Sequence, residues 1–461
     1  MNHIRISKKQ YDILRAHLFP GDGKEAVAIA VCGRLSNVDQ HVLCVQQIMP
    51  VPHEACFERT PDKVSWPTNV INPLLEKATG MGWALIKFHS HPGYYEQFSA
   101  IDDYSDSQLF PSIHNCLNDG LPHASCIMLP DGRIFGRFFD EENRTSPVDL
   151  FAVMGSDLVF WHYGKQKQIR EDLQIRNLQA FGKGTVAALS KLKIGVVGCS
   201  GTGSPTIEQL KRLGVGELIL VDPDYVDFLN LNRIINSTLQ DAENKIPKTT
   251  LMKRAIEETG FGTKVTCFEK SITDRDVVKK LAGCDVLFSC VDSVEARHML
   301  NLISSFYLVP LFDMGIDIIA DGKGGIETIN GIVHYIQPGG SSLLSREQYT
   351  VEQLRSESIR RRDPEEVTRN QYLAAACESS PAVISINMQV AATAVNEFLA
   401  RIHPYRNMKN EDVDAIAIMF NDGTAFPQSF KNPCPFFSKY TGQGDVEPLL
   451  NNPELSKNEI K

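Results

Sequence analysis

Two different rhythms of apolar residues divide this chain. Over roughly the first 150 positions, short apolar runs at Ala26–Val31, His41–Val45, Trp83–Phe88 and Arg133–Phe138 alternate with Gly, Pro and Asn/Asp breaks, which predicts strands. Helical spacing at Asn69–Thr79 and Ser105–Leu117 interrupts them, so a mixed sheet with flanking helices is expected there. From Tyr163 to Leu192 the chain turns charged, Gln-rich and helical in spacing, and reads as a linker helix leading into a second domain. Beyond it, Lys193–Gly198, Glu217–Asp222, Val286–Asp292 and Val309–Asp313 are apolar strands separated by helical segments, the pattern of a doubly wound sheet. The tail after Pro427 is polar and rich in Asn and Pro, and its last dozen residues are expected to be mobile.

At 461 residues the chain is too long for one ordinary core, so a two-domain α/β protein is expected. Its parts are read as residues 1–160, a linker helix over 161–192, a second domain over 193–405 and a C-terminal extension over 406–461. No run of eighteen uncharged apolar residues could span a bilayer, and the first ten residues lack a secretory signal, so a cytoplasmic location without membrane contact is expected. Eleven cysteines with no C-x-x-C pair argue against both a disulfide framework and a thiolate zinc knuckle. The net charge of -9 argues against a nucleic-acid surface, and the one basic run, Arg360 to Arg362, sits among Glu357, Asp363, Glu365 and Glu366.

Chemistry concentrates at two places. His89-Ser90-His91-Pro92 sets two imidazoles on one side of an extended segment, and Asp102, eleven residues past the second, can fold back as a third ligand. Three protein ligands leave one position of a zinc ion open, as in catalytic rather than structural sites. Glu25, just before a predicted strand, is the candidate proton shuttle, and Ser99 can donate to a tetrahedral oxyanion. Asp103 is a rival for Asp102 as ligand. The combined spacing resembles the motif of JAMM (JAB/MPN) metalloproteases over about the first 145 residues. That resemblance implies His89, His91 and Asp102 as Zn2+ ligands, Glu25 as general acid/base and Ser99 as oxyanion donor. It also implies cleavage of peptide or isopeptide bonds after ubiquitin-like proteins.

The second place is Gly198-Cys199-Ser200-Gly201-Thr202-Gly203, which joins a strand to a helix starting near Pro205. Glycines admit phosphate oxygens to backbone N–H groups at a helix N-terminus, and Asp222 ends the next strand where a carboxylate can accept ribose hydroxyls. With Asn230-Leu231-Asn232-Arg233, Ile246-Pro247-Lys248 and Asp292-Ser293-Val294-Glu295-Ala296-Arg297, this stretch resembles the ThiF/MoeB/ubiquitin-activating superfamily from about 170 to 400. The resemblance implies ATP- and Mg2+-dependent adenylation of a ubiquitin-like C-terminus on a Rossmann-like domain. By it, Gly198, Gly201 and Gly203 cradle phosphates, Asp222 holds the ribose, Asn230, Arg233 and Lys248 hold the phosphates, and Asp292 serves the magnesium or the phosphate-side geometry. Arg176 either reaches into the partner's site of a homodimer or is a solvated helix charge. A C-x-x-C knuckle of the family is missing at Ser342 and Ser345, and Cys377 is the thiol in the crossover region where a thioester would form.

Together the motifs imply a bifunctional enzyme that processes or deconjugates a ubiquitin-like protein and activates its C-terminus, as in prokaryotic ubiquitin-like systems, with a conjugating-enzyme-like acceptor downstream. A regulatory scaffold retaining one active site is the alternative. A dinucleotide-dependent enzyme ranks below both, because Arg233 and Lys248 would have no work around a pyrophosphate already bound by glycine N–H groups.

Overall fold

A computed structural model describes residues 1–37, 40–164, 170–321, 323–362 and 381–456. It forms two units, one of residues 1–165, 305–308 and 440–461, the other of residues 166–304 and 309–439.

The first unit is built on a nine-stranded mixed sheet. From edge to edge its strands are Leu158–His162, Leu150–Met154, Asn2–Ser7, His41–Pro50, Val27–Ser36, Ala84–Ser90, His123–Met128, Ile134–Phe139 and Thr145–Pro147. Both faces of its centre are covered. Alternation within the Val27–Ser36 strand sends Ala28 and Ala30 to one apolar core and Val27, Ile29 and Val31 to the other. The Ala84–Ser90 strand follows suit, with Ile86 and Phe88 in the first core and Leu85 in the second. Lys87 and His89 share the face of Leu85, on the side where Leu109, Phe110 and Ile113 of the Ala100–Leu117 helix pack.

A segment from the far end of the chain completes this unit. The Gly442 carbonyl accepts the N–H of Gly33 at 3.0 Å, Asp445 N–H donates to the Arg34 carbonyl at 2.6 Å, and the Tyr307 hydroxyl donates to Asp445 Oδ1 at 2.7 Å. Close approach of two backbones requires glycine here: a Cβ on Gly33 would lie 2.1 Å from the carbonyl carbon of Gln443. Gly33→Ala is therefore expected to destabilise the unit by about 1–3 kcal/mol and to raise amide exchange across 441–445. Hydrogen-exchange mass spectrometry with a denaturation curve checks both.

In the second unit an eight-stranded sheet runs Lys264–Phe268, Glu217–Val221, Lys193–Val197, Val286–Ser289, Leu311–Ala320, Ile326–Ile336, Ala415–Met419 and Thr424–Gln428. The first five strands are parallel and the last three antiparallel. Strand order reverses between Lys193–Val197 and Val286–Ser289, which opens a crevice at their C-terminal ends, the usual place for a ligand in such sheets. The leading helix spans Glu171–Leu189, with Gly182 in a non-helical conformation inside it. Residues 406–461, read from the sequence as an extension, supply the two outer strands of this sheet and, from 440 on, part of the first unit. No helix among the described residues is long and apolar enough to cross a membrane.

Candidate functional sites

Strand register brings the first site together. Val27 opposes His89 in the antiparallel pair, so continuing that register places Glu25 opposite His91. Ser90 N–H donates to the Ala26 carbonyl at 3.1 Å and Ala26 N–H to Ser90 Oγ at 3.0 Å, which holds this end of the ladder closed. Ser99 caps the Ala100–Leu117 helix, and Asp102 closes a capping box with it: Asp102 Oδ2 accepts from Ser99 N–H at 2.7 Å and from Ser99 Oγ at 2.8 Å.

The result is a buried cluster. His89 Nε2 lies 2.9 Å from Asp102 Oδ1 and 3.1 Å from His91 Nε2, and His91 Nε2 lies 3.4 Å from Asp102 Oδ2. Ligand atoms of the three fall within 4.8 Å of one another, the one such grouping among the described residues. His91 Nδ1–H donates to the Tyr95 carbonyl at 2.7 Å, which leaves Nε2 free to ligate. Two imidazole nitrogens facing each other beside a carboxylate fit a zinc ion, whose ligands need separations of this size. Asp103 turns away to Arg137 at 2.5 Å and is not in the cluster.

Charge follows the geometry. Burial works against the Asp102 carboxylate, but the imidazoles of His89 and His91 and the Ser99 N–H outweigh it and hold the carboxyl well below its usual range. Burial lowers His89, which favours the neutral ligand form. Glu25, with Oε1 3.8 Å from His91 Nε2, is pushed up to about 8 by burial, drawn down by His91 and raised further by Asp102. A carboxyl poised near neutral pH suits proton transfer. The Ser99 hydroxyl is engaged with Asp102, so donating to an oxyanion requires it to exchange that partner.

At the second site the glycines have steric reasons. Gly198 has a φ of 90°, and a Cβ on Gly203 would lie 1.9 Å from the Gly198 carbonyl oxygen. A Cβ on Gly201 would lie 2.4 Å from Asn387 Nδ2 and 3.4 Å from Arg233 Cδ, so the loop runs directly beside both side chains. Asp222 Oδ2 accepts from Cys199 N–H at 2.7 Å, tying the loop to the end of the next strand. Lys248 Nζ stands 2.8 Å from Asp224 and 4.0 Å from Asp222, while burial raises the Asp222 carboxyl and Lys248 restrains it. Arg233 Nη1 donates to the Leu229 carbonyl at 2.7 Å, Asn230 sits in the short turn Phe228–Asn230, and Asp292 is exposed just before the Val294–Tyr307 helix. Arg176 is exposed on the leading helix and donates to Gln179 at 3.0 Å.

Sequence reading passed over Asn387, buried beside Gly201, because it lies some 185 positions downstream with no local motif around it. It also passed over the buried Asp313, which accepts from Ser289 Oγ and from Arg297 Nε at 3.3 Å; the D-x-x-x-x-R spacing from Asp292 to Arg297 was the available signal. Where a thiolate knuckle was missing, Ser342 and Ser345 cap each other's N–H groups at 2.9 and 3.1 Å, so hydroxyls close that turn. Burial drives the thiols of Cys199 and Cys290, beside the glycine loop, far from the nucleophilic range, Cys290 to about 12. Cys377 lies outside the described residues.

Comparison with known proteins agrees with the second unit. Ubiquitin-like modifier-activating enzyme 5 of Bombyx mori is 28% identical over 160 residues, 32% of this chain and 38% of that protein. SAMP-activating enzyme E1 of Haloferax volcanii is 31% identical over 119 residues, 26% of this chain and 43% of that one. The chain thus spans less than half the length of either relative. Among solved structures, E. coli MccB with ATP aligns at a TM-score of 0.45 and 18% identity, over 60% of this chain and 75% of its own. The sequence pattern of the ThiF family matches residues 172–434, a span that takes in the glycine loop, Asp222, Arg233, Lys248 and Asn387, and the chain belongs to that family.

Proposed function

We propose that this chain is a bifunctional enzyme of a ubiquitin-like modifier pathway. Its first unit would hydrolyse the peptide or isopeptide bond after a ubiquitin-like protein, in the manner of JAMM metalloproteases, and its second would adenylate the exposed C-terminus. The observation that carries the first half is the buried His89, His91 and Asp102 cluster with Glu25 beside it. The second half is supported by family membership together with the cations Arg233 and Lys248 at the glycine loop.

Zinc, held by His89, His91 and Asp102, would supply an acidified water and a polarised carbonyl. Glu25, beside His91 and outside the three ligands, takes the proton of the attacking water and returns it to the departing amine. Ser99 secures Asp102 and, by turning its hydroxyl, steadies the tetrahedral oxyanion. In the second unit ATP and magnesium would supply the adenylyl group and the pyrophosphate leaving group. Glycine N–H groups, Arg233, Asn230 and Lys248 would bind phosphate oxygens, Asp222 would orient the ribose, and Asp292 would serve the magnesium or the phosphate side. Arg176 would complete the site of a second copy in a homodimer.

Metal analysis and two assays test the proposal on one preparation. Expected are one zinc per chain, zinc-dependent cleavage of a C-terminally extended ubiquitin-like protein, and pyrophosphate exchange that needs the processed form. His91→Ala should release the zinc and abolish cleavage while exchange continues. Exchange without any zinc or cleavage would reduce the chain to an activating enzyme with a scaffolding first unit.

A further inference from the structure

The Ala100–Leu117 helix inverts the usual pattern of burial over its first two turns. Its buried residues are Asp102, Asp106, Leu109, Phe110, Ile113 and His114, so apolar anchorage begins only at Leu109. Nearer the N-terminus, Ile101 is 48% and Tyr104 72% exposed, while the two carboxylates face the sheet. A helix start that exposes its apolar side chains and buries its acids is not positioned by the hydrophobic effect.

Asp106 is positioned by two cations. Lys87 Nζ lies 2.6 Å from its Oδ1 and Arg137 Nη2 lies 2.7 Å from its Oδ2, so each oxygen has its own partner. Both ends of the Lys87–Asp106 pair are almost fully buried. Arg137 also reaches Asp103 at 2.5 Å, and its guanidinium lies over the Phe98 ring at 3.8 Å, just before the helix cap. Lys87 precedes His89 by two residues on the same face of the Ala84–Ser90 strand, and Asp106 follows Asp102 by one helical turn on the same face. The ion pair therefore ties the strand to the helix one step away from where His89 meets Asp102.

We propose that Lys87, Asp106 and Arg137 are positioning residues for the metal centre, fixing the helix so that the Asp102 carboxylate meets His89 and His91 in ligating geometry. This rests on the reading of His89, His91 and Asp102 as a zinc site. It assigns a function to three charged groups that the hydrolytic steps do not use, two of them among the most buried in the unit. Lys87 and Arg137 offset the charges of Asp103 and Asp106, so the buried carboxylate of Asp106 is fully paired.

The test is zinc affinity by chelator competition on the full chain, with the visible spectrum of the cobalt-substituted protein and the melting temperature of the metal-free form. Asp106→Asn is expected to weaken zinc binding about 10–100-fold and to alter the cobalt bands. Because a lone buried Lys87 could unfold the unit, the double variant Lys87→Met with Asp106→Asn removes the charge imbalance. It should fold and still bind zinc weakly. Wild-type affinity and an unchanged cobalt spectrum in the double variant, with only the melting temperature lowered in Asp106→Asn, would overturn the positioning role and leave a stability role. Wild-type protein that takes up no zinc would instead sink the metal site itself, and the two failures are thereby distinct.

Discussion

Glu25→Gln protein is expected to retain one zinc per chain and to lose cleavage of a ubiquitin-like substrate by about 10²–10⁴-fold in kcat, with KM little changed. The carboxyl stands outside the three ligands, 3.8 Å from His91, so the amide should leave the metal in place. What it removes is the ability to accept and return a proton. Its main chain should hold position, because Glu25 N–H donates to the Thr60 carbonyl at 2.9 Å and the Glu25 carbonyl accepts from Arg59 Nε at 2.8 Å, neither of which involves the carboxyl. Steady-state kinetics beside metal analysis decides the matter. Cleavage within a few-fold of wild type would assign proton transfer to another group, and loss of zinc would make Glu25 a ligand.

A second large effect is expected from Lys248→Gln in the other unit. Lys248 is buried at the first position of the Lys248–Thr259 helix, and its N–H is secured to the Asp224 carbonyl at 3.0 Å. Its ammonium pairs with Asp224 at 2.8 Å and stands 4.0 Å from Asp222 at the strand end. With ATP bound it would turn to phosphate oxygens and stabilise charge moving onto pyrophosphate. Pyrophosphate exchange should fall at least about 10²–10³-fold, with proteolytic cleavage by the first unit unchanged. Equal losses in both activities would mean that the substitution acts through folding rather than through the nucleotide.

Both centres were legible where their chemistry is local in sequence. H-x-H-P with its downstream Ser and Asp, and the glycines from 198 to 203, each occupy one turn or one strand-to-helix joint, so spacing alone carries the geometry. The position of Glu25 is another matter: it depends on the pairing of Val27 with His89, which no feature of either segment announces. The helix bearing Asp102 was read as starting at Ser105 and begins at Ala100, because its first turns bury acids and expose Ile101 and Tyr104, against the pattern by which helices are recognised. Strands at Asn2–Ser7, Leu150–Met154 and Leu158–His162 escaped notice for a related reason. The parallel pairing of Asn2–Ser7 with Leu150–Met154 joins segments about 150 residues apart, and short strands such as these carry little periodicity of their own.

The segment from 440 to 445 ties the two ends of the chain's synthesis into one unit. During synthesis the first 165 residues leave the ribosome early, yet the backbone partners of Gly33, Arg34 and Ser36 are not made until Gly442 and Asp445 appear. Any nascent chain that ends before residue 440 carries the complete H-x-H-P and S-x-x-D motifs on all nine strands but leaves the backbone groups of Gly33, Arg34 and Ser36 without their Gly442 and Asp445 partners.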